Sequence, residues 1–462
     1  MKNFEKYGKQ YDWKKPANRT WPNKEIEKAP IWCSVDLRDG NQALANPMTL
    51  QEKIDFFNYL VKLGFKDIEV GFPAASETEY EFVRYLIEND CIPDDVRIQV
   101  LTQAREKIIK RTFESLKGAK RAIVHLYNST SPVQREMVFK KSKEEIKEIA
   151  TSGAKMIREY ARQNPETDWT FEYSPESFTG TEMDYAVDVI NSVTNEWKDF
   201  NDNKIIINLP ATVECSMPNV FADQVEYVCE NLNDRDNISV SIHSHNDRGT
   251  GVATSEMALL AGADRIEGSL FGNGERTGNA DILNIAMNMY THGIDPELDF
   301  SNINEVKQMY SKYVKMPIHP RHPYAGDNVF IAFSGSHQDA IAKGKDYQKT
   351  SPSEKWNIPY LPIDPADVGR EYEPIIRINS QSGKGGIAYV LADKYGVKIP
   401  EEKREEFGYF IKGISDRIGR ELTADEIYEE MQKYFERKKQ INSGKIESSY
   451  IKDESVLEDI GD

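Results

Sequence analysis

The sequence predicts an α/β protein: a parallel (β/α)8 TIM barrel, a C-terminal irregular arm and a small helical subdomain. Two observations support this fold class. Short apolar or β-branched runs alternate eight times with stretches of helical spacing, over roughly 280 residues. The 462 residues, 39% hydrophobic and 29% charged, suit a large barrel with a smaller appendage. The alternative is an open, doubly wound sheet, whose site would form at a switch point from fewer strands.

The predicted strands are short and rich in apolar and β-branched residues. They are 31–35, 67–72, 97–101, 121–127, 169–173, 204–209, 238–243 and 265–271. Between them, apolar residues recur at helical spacing; Ile54, Phe57 and Leu60, for example, lie near one helix face. The predicted helices are 50–63, 80–87, 107–116, 141–160, 183–193, 219–232 and 250–261. In such a barrel all strand C-termini open onto one face, where active sites lie.

Side chains with metal-binding chemistry follow the first and seventh predicted strands. His243 and His245 are two residues apart at a strand end, so their imidazoles point the same way and form half of a metal site. Arg38 and Asp39 follow the first strand. Because the first and seventh strands flank the eighth, Asp39 can converge with the histidines, beside an arginine. The alternative is a pair of hydrogen-bonded loop histidines.

The segment after the eighth predicted strand is rich in glycine. Gly268, Gly272, Gly274 and Gly278 fall within eleven residues, and glycine lets a backbone approach a ligand closely or take positive φ. Loops after strands seven and eight of such barrels often bind phosphate. The segment is not a Walker loop, because Gly-Lys-Ser/Thr is absent. A simple turn is the alternative.

Composition excludes some classes of function. A formal net charge of −17 argues against nucleic-acid binding, although a local basic pocket could still hold a small anion. No apolar run of about 18 residues and no signal-peptide core are visible, so we expect no membrane partner and a cytoplasmic location. The four cysteines form no Cys-x-x-Cys pair and are expected to be reduced thiols.

Seven motifs closely resemble those of the 2-isopropylmalate synthase family, which is part of a wider group with homocitrate and citramalate synthases and some acyl-CoA lyases. They occupy residues 34–42, 171–181, 208–214, 243–249, 272–279, 334–339 and 379–386. Leu-Arg-Asp-Gly and His-Ser-His mark the whole group. Ser-Pro-Glu-Ser-Phe-Thr-Gly-Thr and Ser-Gly-Ser-His-Gln-Asp resemble the isopropylmalate branch, and the resemblance runs from about residue 10 to about residue 440.

The resemblance implies an acyltransferase of leucine biosynthesis. It would join acetyl-CoA to a 2-oxo acid, expected to be 2-oxoisovalerate, and then hydrolyse the thioester. The resemblance implies a divalent cation, Mg, Mn or Zn, bound by Asp39, His243 and His245, with Asn279 as a further or water-mediated contact. Arg38 would stabilise the charge that develops on the keto oxygen. Alternatives are a sister synthase of citramalate or homocitrate type, or a barrel that binds these ligands without chemistry.

The resemblance also assigns residues to the substrates and to proton transfer. Arg38, His125, Thr212 and Asn279 would bind substrate, and Glu176 would take a substrate-pocket or acid–base role. His337 and Tyr360 would act in deprotonating the acetyl methyl group. A satisfied core histidine remains the alternative for His125, and a residue that only positions CoA the alternative for His337. Gly272 and Gly274, in the loop after the eighth predicted strand, are also expected to contact substrate.

Five regions are expected along the chain. They are an N-terminal extension (1–30), the barrel (31–316), a proline-rich linker arm (317–385), a helical subdomain (386–440) and an acidic flexible tail (441–462). In relatives the arm reaches the neighbouring subunit, so the resemblance implies a homodimer with shared active sites. Longer relatives continue into a leucine-binding domain. The tail is too short to form one, so leucine inhibition of the usual kind is not expected.

Overall fold

The computed structural model describes residues 18–332, 334–351, 355–372, 384–420 and 422–442. The chain divides into two compact units, with the boundary between Gly326 and Asp327. Most of the expected N-terminal extension and the expected acidic tail lie outside the described residues. Among the described residues, no helix has the length and apolar character needed to cross a membrane.

The first unit is a closed barrel of eight parallel strands in sequence order, which confirms the predicted TIM-barrel fold. The last strand pairs with the first, Gly268 opposite Ser34, so the open-sheet alternative is excluded. The strands are β1 (Ile31–Ser34), β2 (Asp67–Gly71), β3 (Arg97–Gln103), β4 (Arg121–Ser129), β5 (Asp168–Glu176), β6 (Ile205–Ala211), β7 (Ile238–Ser244) and β8 (Arg265–Gly268).

Helices surround the barrel, and local sequence delimits several of them. A capping box formed by Thr49 and Glu52 begins the first helix, and Gly64, at φ 106°, ends it. Ser142 and Glu145 form the same box at the fourth helix. The helices of this unit are α1 (Leu50–Leu63), α2 (Glu77–Glu88), α3 (Glu106–Leu116), α4 (Lys143–Arg162), α5 (Met183–Trp197), α6 (Pro218–Asn231), α7 (Gly251–Leu260), α8 (Ile282–Thr291) and α9 (Ile303–Val314).

The interior of the barrel carries a buried polar network centred on Arg265. Its Nε donates to Asp67 at 3.0 Å, and its Nη1 donates to Ser241 and Glu267, each at 2.9 Å. Nη2 donates to Gln99 at 2.7 Å. A guanidinium carries five N–H donors in a fixed plane, so this one side chain links β2, β3, β7 and β8 across the barrel.

The second unit is more regular at its start than the sequence predicts. The linker arm was expected to be irregular because of its prolines, but it contains a 16-residue helix, α10 (Gly335–Thr350). No proline occurs between residues 335 and 350, so the helix is not interrupted there. Three further helices follow, as expected: α11 (Lys384–Tyr395), α12 (Glu401–Ile418) and α13 (Ala424–Asn442). They share a core that includes Leu391, Phe407, Ile411 and Ile427.

Replacing Arg265 with methionine should destabilise the barrel strongly. The change leaves the buried carboxylates of Asp67 and Glu267 without this counter-charge, and removing one partner of a buried ion pair costs roughly 3–5 kcal/mol. The matched control is Arg97→Met, because Arg97 also pairs with Asp67 but its side chain is 30% exposed. Urea unfolding followed by circular dichroism measures both losses. A loss for Arg265→Met no larger than that for Arg97→Met would contradict this view of the network.

Candidate active site

The structure brings Asp39, His243 and His245 together at the C-terminal end of the barrel. Asp39 lies in a short helical turn after β1, His243 lies on β7, and His245 follows that strand. Oδ2 of Asp39 is 3.4 Å from Nε2 of His243 and 3.3 Å from Nε2 of His245. All three side chains are buried, and one ligand atom from each lies within 4.8 Å of the others.

The hydrogen bonds around the two imidazoles fit a metal centre. Nδ1 of His243 donates to Glu267 at 2.9 Å, and Nδ1 of His245 donates to the backbone carbonyl of Thr212 at 2.6 Å. With Nδ1 as the donor, Nε2 of each ring faces Asp39 and is the nitrogen that a metal ion would bind after losing its proton. Metal-ligating histidines characteristically donate their other ring N–H to a carboxylate or a carbonyl. The histidines are thus held as ligands would be.

Asn279 pairs through its backbone with His245 and carries a buried amide oxygen. Its backbone bridges to that of His245, and its Nδ2 donates to the carbonyl of Asn273 at 2.9 Å. Its Oδ1 is buried and has no hydrogen-bond partner among the described residues. A buried acceptor normally has a partner, so this oxygen also fits a cation or a water bound to one. Two imidazoles, a carboxylate and an amide oxygen suit Mg, Mn or Zn without choosing among them.

Charge in the site is tightly compensated. Burial by itself would raise the pKa of Asp39, but Arg38 and the two histidines hold it well below its ordinary value. Burial lowers the pKa of His243, whereas its hydrogen bonds with Asp39 and Glu267 raise it to about 9. Asp39 is therefore ionised near neutral pH. A metal ion bound at His243 would displace a proton.

Arg38 is held between two carboxylates at the edge of the triad. Its Nη1 donates to Oδ1 of Asp39 at 2.9 Å, and its Nε donates to Glu69 of β2 at 2.5 Å. Glu69 also accepts from Nδ1 of His125 at 2.8 Å. Sequence reasoning missed Glu69. The available signal was a carboxylate inside an otherwise apolar strand, two residues after Asp67 and on the same face.

The remaining predicted barrel residues surround the triad. His125 is buried, with Nε2 2.7 Å from the hydroxyl of Ser174, so both ring nitrogens have partners, as in the core-histidine alternative. It nevertheless lines the cavity described below. Glu176 accepts a short hydrogen bond from the Ser129 hydroxyl. Oγ1 of Thr212 accepts from the backbone N–H of Ser177 at 2.9 Å, so its own hydroxyl hydrogen is free to donate.

These side chains line one cavity of about 260 Å³. The cavity contains seven residues singled out from the sequence, together with others that sequence reasoning missed. The former are Arg38, Asp39, His125, Glu176, Thr212, His243 and His245. The latter are Gln42, Leu101, Tyr127, Ser174, Asn208, Pro210, Glu275 and Arg276. Most of the missed residues lie near strand C-termini or within the motifs described above, and these were the two signals available for them.

Gly272 and Gly274, which were expected to contact substrate, do not lie among the residues that line this cavity, so that contact stays a prediction. They make room for Asn279. A Cβ at Gly274 would lie 2.3 Å from Nδ2 of Asn279, and one at Gly272 would lie 2.9 Å from its carbonyl oxygen. Gly272 also has φ +69°, a left-handed conformation that glycine adopts without strain. The two glycines therefore shape the loop that presents Asn279.

His337 and Tyr360 lie in the second unit, where their rings stack with centroids 3.8 Å apart and planes inclined by 19°. His337 is in the first turn of α10. Tyr360 lies in a tight turn, in which the N–H of Leu361 donates to the carbonyl of Ile358, and it has φ 63° and a 60% exposed side chain. A tyrosine in the left-handed region carries backbone strain, and such strain often occurs at functional positions.

Comparison with known proteins agrees with this division. Residues 29–310 match the family model described as HMGL-like, and residues 327–392 match the model described as alpha-isopropylmalate synthase, post-catalytic domain-like. The barrel is also similar to a solved hydroxymethylglutaryl-CoA lyase from Pseudomonas aeruginosa, with a TM-score of 0.52 and 18% identity. That similarity covers 63% of this chain and 94% of the lyase, and it supports the fold alone.

Curated relatives are much more similar in sequence. The 2-isopropylmalate synthase of Acetoanaerobium sticklandii is 62% identical over 427 residues, 92% of this chain and 75% of that protein. The enzyme of the same name from Helicobacter hepaticus is 60% identical over 435 residues, 94% of this chain and 78% of its own length. At this identity and coverage, the chain belongs to the 2-isopropylmalate synthase family, within the HMGL-like group.

Proposed function

We propose that the chain condenses acetyl-CoA with 2-oxoisovalerate and hydrolyses the resulting thioester, releasing 2-isopropylmalate and CoA. This is the first committed step of leucine biosynthesis. The observation that carries the proposal is the convergence of Asp39, His243 and His245 beside Arg38, in a chain up to 62% identical to 2-isopropylmalate synthases. The barrel places this group at the face where such folds carry their active sites.

Asp39, His243 and His245 would hold a divalent cation, Mg, Mn or Zn, with Oδ1 of Asn279 as a direct or water-mediated contact. When bound, the cation supplies a Lewis acid that polarises the keto group of the 2-oxo acid and aligns it for attack. Arg38 stabilises the negative charge that develops on the keto oxygen. Because Glu69 and Asp39 fix two of its nitrogens, the guanidinium needs little reorganisation during the reaction.

Other side chains bind and orient the 2-oxo acid. The free hydroxyl hydrogen of Thr212 donates to its carboxylate. Leu101, Tyr127 and Pro210 give the cavity an apolar part that suits a branched aliphatic chain. The second carboxylate of 2-oxoglutarate would need a cation instead. Both arginines that line the cavity already pair with carboxylates, so the lining favours 2-oxoisovalerate over that substrate.

Proton transfer uses residues of both units. The methyl group of acetyl-CoA is a weak acid, so its deprotonation needs a positioned base. His337, stacked on Tyr360, takes that role, and the alternative role for His337 is to position CoA. Glu176, whose carboxylate accepts a hydrogen bond from the Ser129 hydroxyl, takes a substrate-pocket or acid–base role. We also propose a homodimer in which these His337 and Tyr360 residues serve the barrel of the neighbouring subunit.

The proposed substrate is tested by thiol release from acetyl-CoA with a panel of 2-oxo acids. We expect kcat/KM for 2-oxoisovalerate to exceed that for pyruvate and for 2-oxoglutarate by at least about tenfold each, since an apolar pocket discriminates by roughly 1–3 kcal/mol. A preference for pyruvate or 2-oxoglutarate would instead assign a citramalate- or homocitrate-type activity. Absence of CoA release with every oxo acid would support a binding protein and refute the enzyme proposal.

His243→Ala and Asp39→Ala should each lower metal-dependent turnover by roughly 10³-fold or more, because each removes a proposed ligand of the cation. The matched control is His292→Ala, since His292 is exposed, follows the C-terminal end of α8 and does not line the cavity. Turnover is measured after dialysis against chelator and readdition of Mg or Mn, and circular dichroism checks that the fold is intact. Near-normal activity of His243→Ala in chelated buffer would remove the triad from the mechanism.

The shared-site dimer predicts complementation between inactive chains. Mixing His337→Ala with Arg38→Ala should restore up to about one quarter of wild-type activity, because half of randomly mixed dimers are mixed and each has one intact site. A mixture of His337→Ala with Tyr360→Ala is the matched control, since both changes affect the same unit and no intact site can form. Mixed dimers, detected by two affinity tags, that show no activity would refute the shared site.

A further inference from the structure

Arg276 lies in the loop after β8 and reaches across to the two preceding loops. Its Nε and Nη2 form a two-point ion pair with Asp247, at 2.7 and 3.0 Å. Its Nη2 also donates to the backbone carbonyl of Thr212 at 2.6 Å. Arg276 has φ 56°, a backbone conformation that costs free energy in any residue other than glycine. This cost indicates that the surrounding contacts hold Arg276 in place.

The carbonyl of Thr212 connects Arg276 to the triad. It also accepts Nδ1–H of His245 at 2.6 Å, and Nη2 of Arg276 lies 2.8 Å from that same ring nitrogen. A guanidinium only donates, and the ring nitrogen uses its hydrogen on the carbonyl. Arg276 therefore acts on His245 through the carbonyl that both of them contact.

A second set of hydrogen bonds makes this arrangement rigid. Asp247 accepts the backbone N–H of Glu214 at 2.9 Å. The buried carboxylate of Glu214 in turn accepts the backbone N–H of Arg248 at 2.6 Å and the hydroxyls of Thr250 and Thr254. These hydrogen bonds connect the loop after β6 to the loop after β7, next to the ion pair of Arg276 with Asp247. Arg276 adds the loop after β8.

We infer that Arg276, with Asp247, is a positioning residue that holds the Thr212 carbonyl and thereby fixes His245 in the orientation needed for a metal ligand. The inference rests on the proposed function, because it assumes that the triad binds the cation. Partners that orient a ligating histidine change metal affinity by about 10- to 100-fold when they are lost. Arg276 also lines the cavity and its side chain is 40% exposed, so a direct contact with substrate is the competing role.

Substrate-free Mn²⁺ binding separates the two roles. The dissociation constant of Mn²⁺ is measured by electron paramagnetic resonance of the free ion for wild type, Arg276→Met and Arg276→Lys. We expect about 10- to 100-fold weaker binding for Arg276→Met, and a smaller loss for Arg276→Lys, which keeps the charge but not the two-point geometry. The matched control is Arg248→Met, an exposed arginine of the neighbouring loop, with a change below about twofold.

Turnover gives the second readout. With Mn²⁺ raised to saturation, Arg276→Met should recover most of kcat and keep a near-normal KM for 2-oxoisovalerate. Unchanged Mn²⁺ affinity in a folded Arg276→Met protein would overturn the inference, whether KM for the oxo acid rises or stays the same. His243→Ala distinguishes a failure of the proposed metal site from a failure of the positioning role of Arg276. If His243→Ala also leaves Mn²⁺ binding unchanged, the proposed metal site fails and the inference fails with it. If only His243→Ala weakens binding, the inference alone fails.

Discussion

The site depends on one buried carboxylate, Glu267 of β8. One of its oxygens accepts from Arg265 and Gln99, each at 2.9 Å, and the other accepts from His243 at 2.9 Å and Asn208 at 3.1 Å. Burial by itself would raise the pKa of Glu267, but His243 and Arg265 hold it well below its ordinary value. The same anion thus closes the network of the barrel interior and orients a predicted ligand. Loss of the interior network would disturb the site directly.

Charge compensation extends one layer further into the barrel. Glu172 of β5 is fully buried. Its carboxylate oxygens form no hydrogen bond among the described residues, but they lie 3.5 Å from Nε2 of His125 and from Nη1 of Arg265. Burial and the neighbouring Glu267 raise the pKa of Glu172 well above its ordinary value. Burial and repulsion from Glu267 therefore oppose ionisation of Glu172, in a region that already holds the carboxyl groups of Glu267 and Glu69. A barrel interior this polar is stable only when each anion has a donor or carries a proton.

The sequence was sufficient for the barrel and for the convergence of the triad, because both follow from periodicity and topology. The predicted helix 50–63 coincides with α1, since a capping box and Gly64 mark its ends. The predicted strand 265–271 was too long. The strand ends at Gly268, because Phe271 adopts φ 56° in a turn, although its side chain is apolar like those of a strand. Apolar character alone cannot distinguish the two conformations.

The finer arrangement could not be predicted because it depends on which side chains meet across the barrel. Nothing in the chain order indicates that Glu69 holds both Arg38 and His125. The glycines of the loop after β8 were a real signal of close approach, and the structure adds that the group approached within the chain is Asn279. Thr212 was expected to bind substrate, and the structure shows in addition that its backbone carbonyl contacts His245. A contact made by a backbone carbonyl cannot be predicted from residue type, because every residue has that carbonyl.

That carbonyl has a consequence for how the enzyme can change over evolution. Every amino acid supplies a backbone carbonyl, so the hydrogen bond to His245 survives any substitution at position 212 that preserves the local backbone. The hydroxyl, which is the proposed contact with the oxo acid, can be exchanged for another side-chain acceptor that still receives the backbone N–H of Ser177. At position 212 the backbone therefore orients His245, and the side chain contacts the substrate. A substitution there can change the substrate preference while the metal centre stays in place.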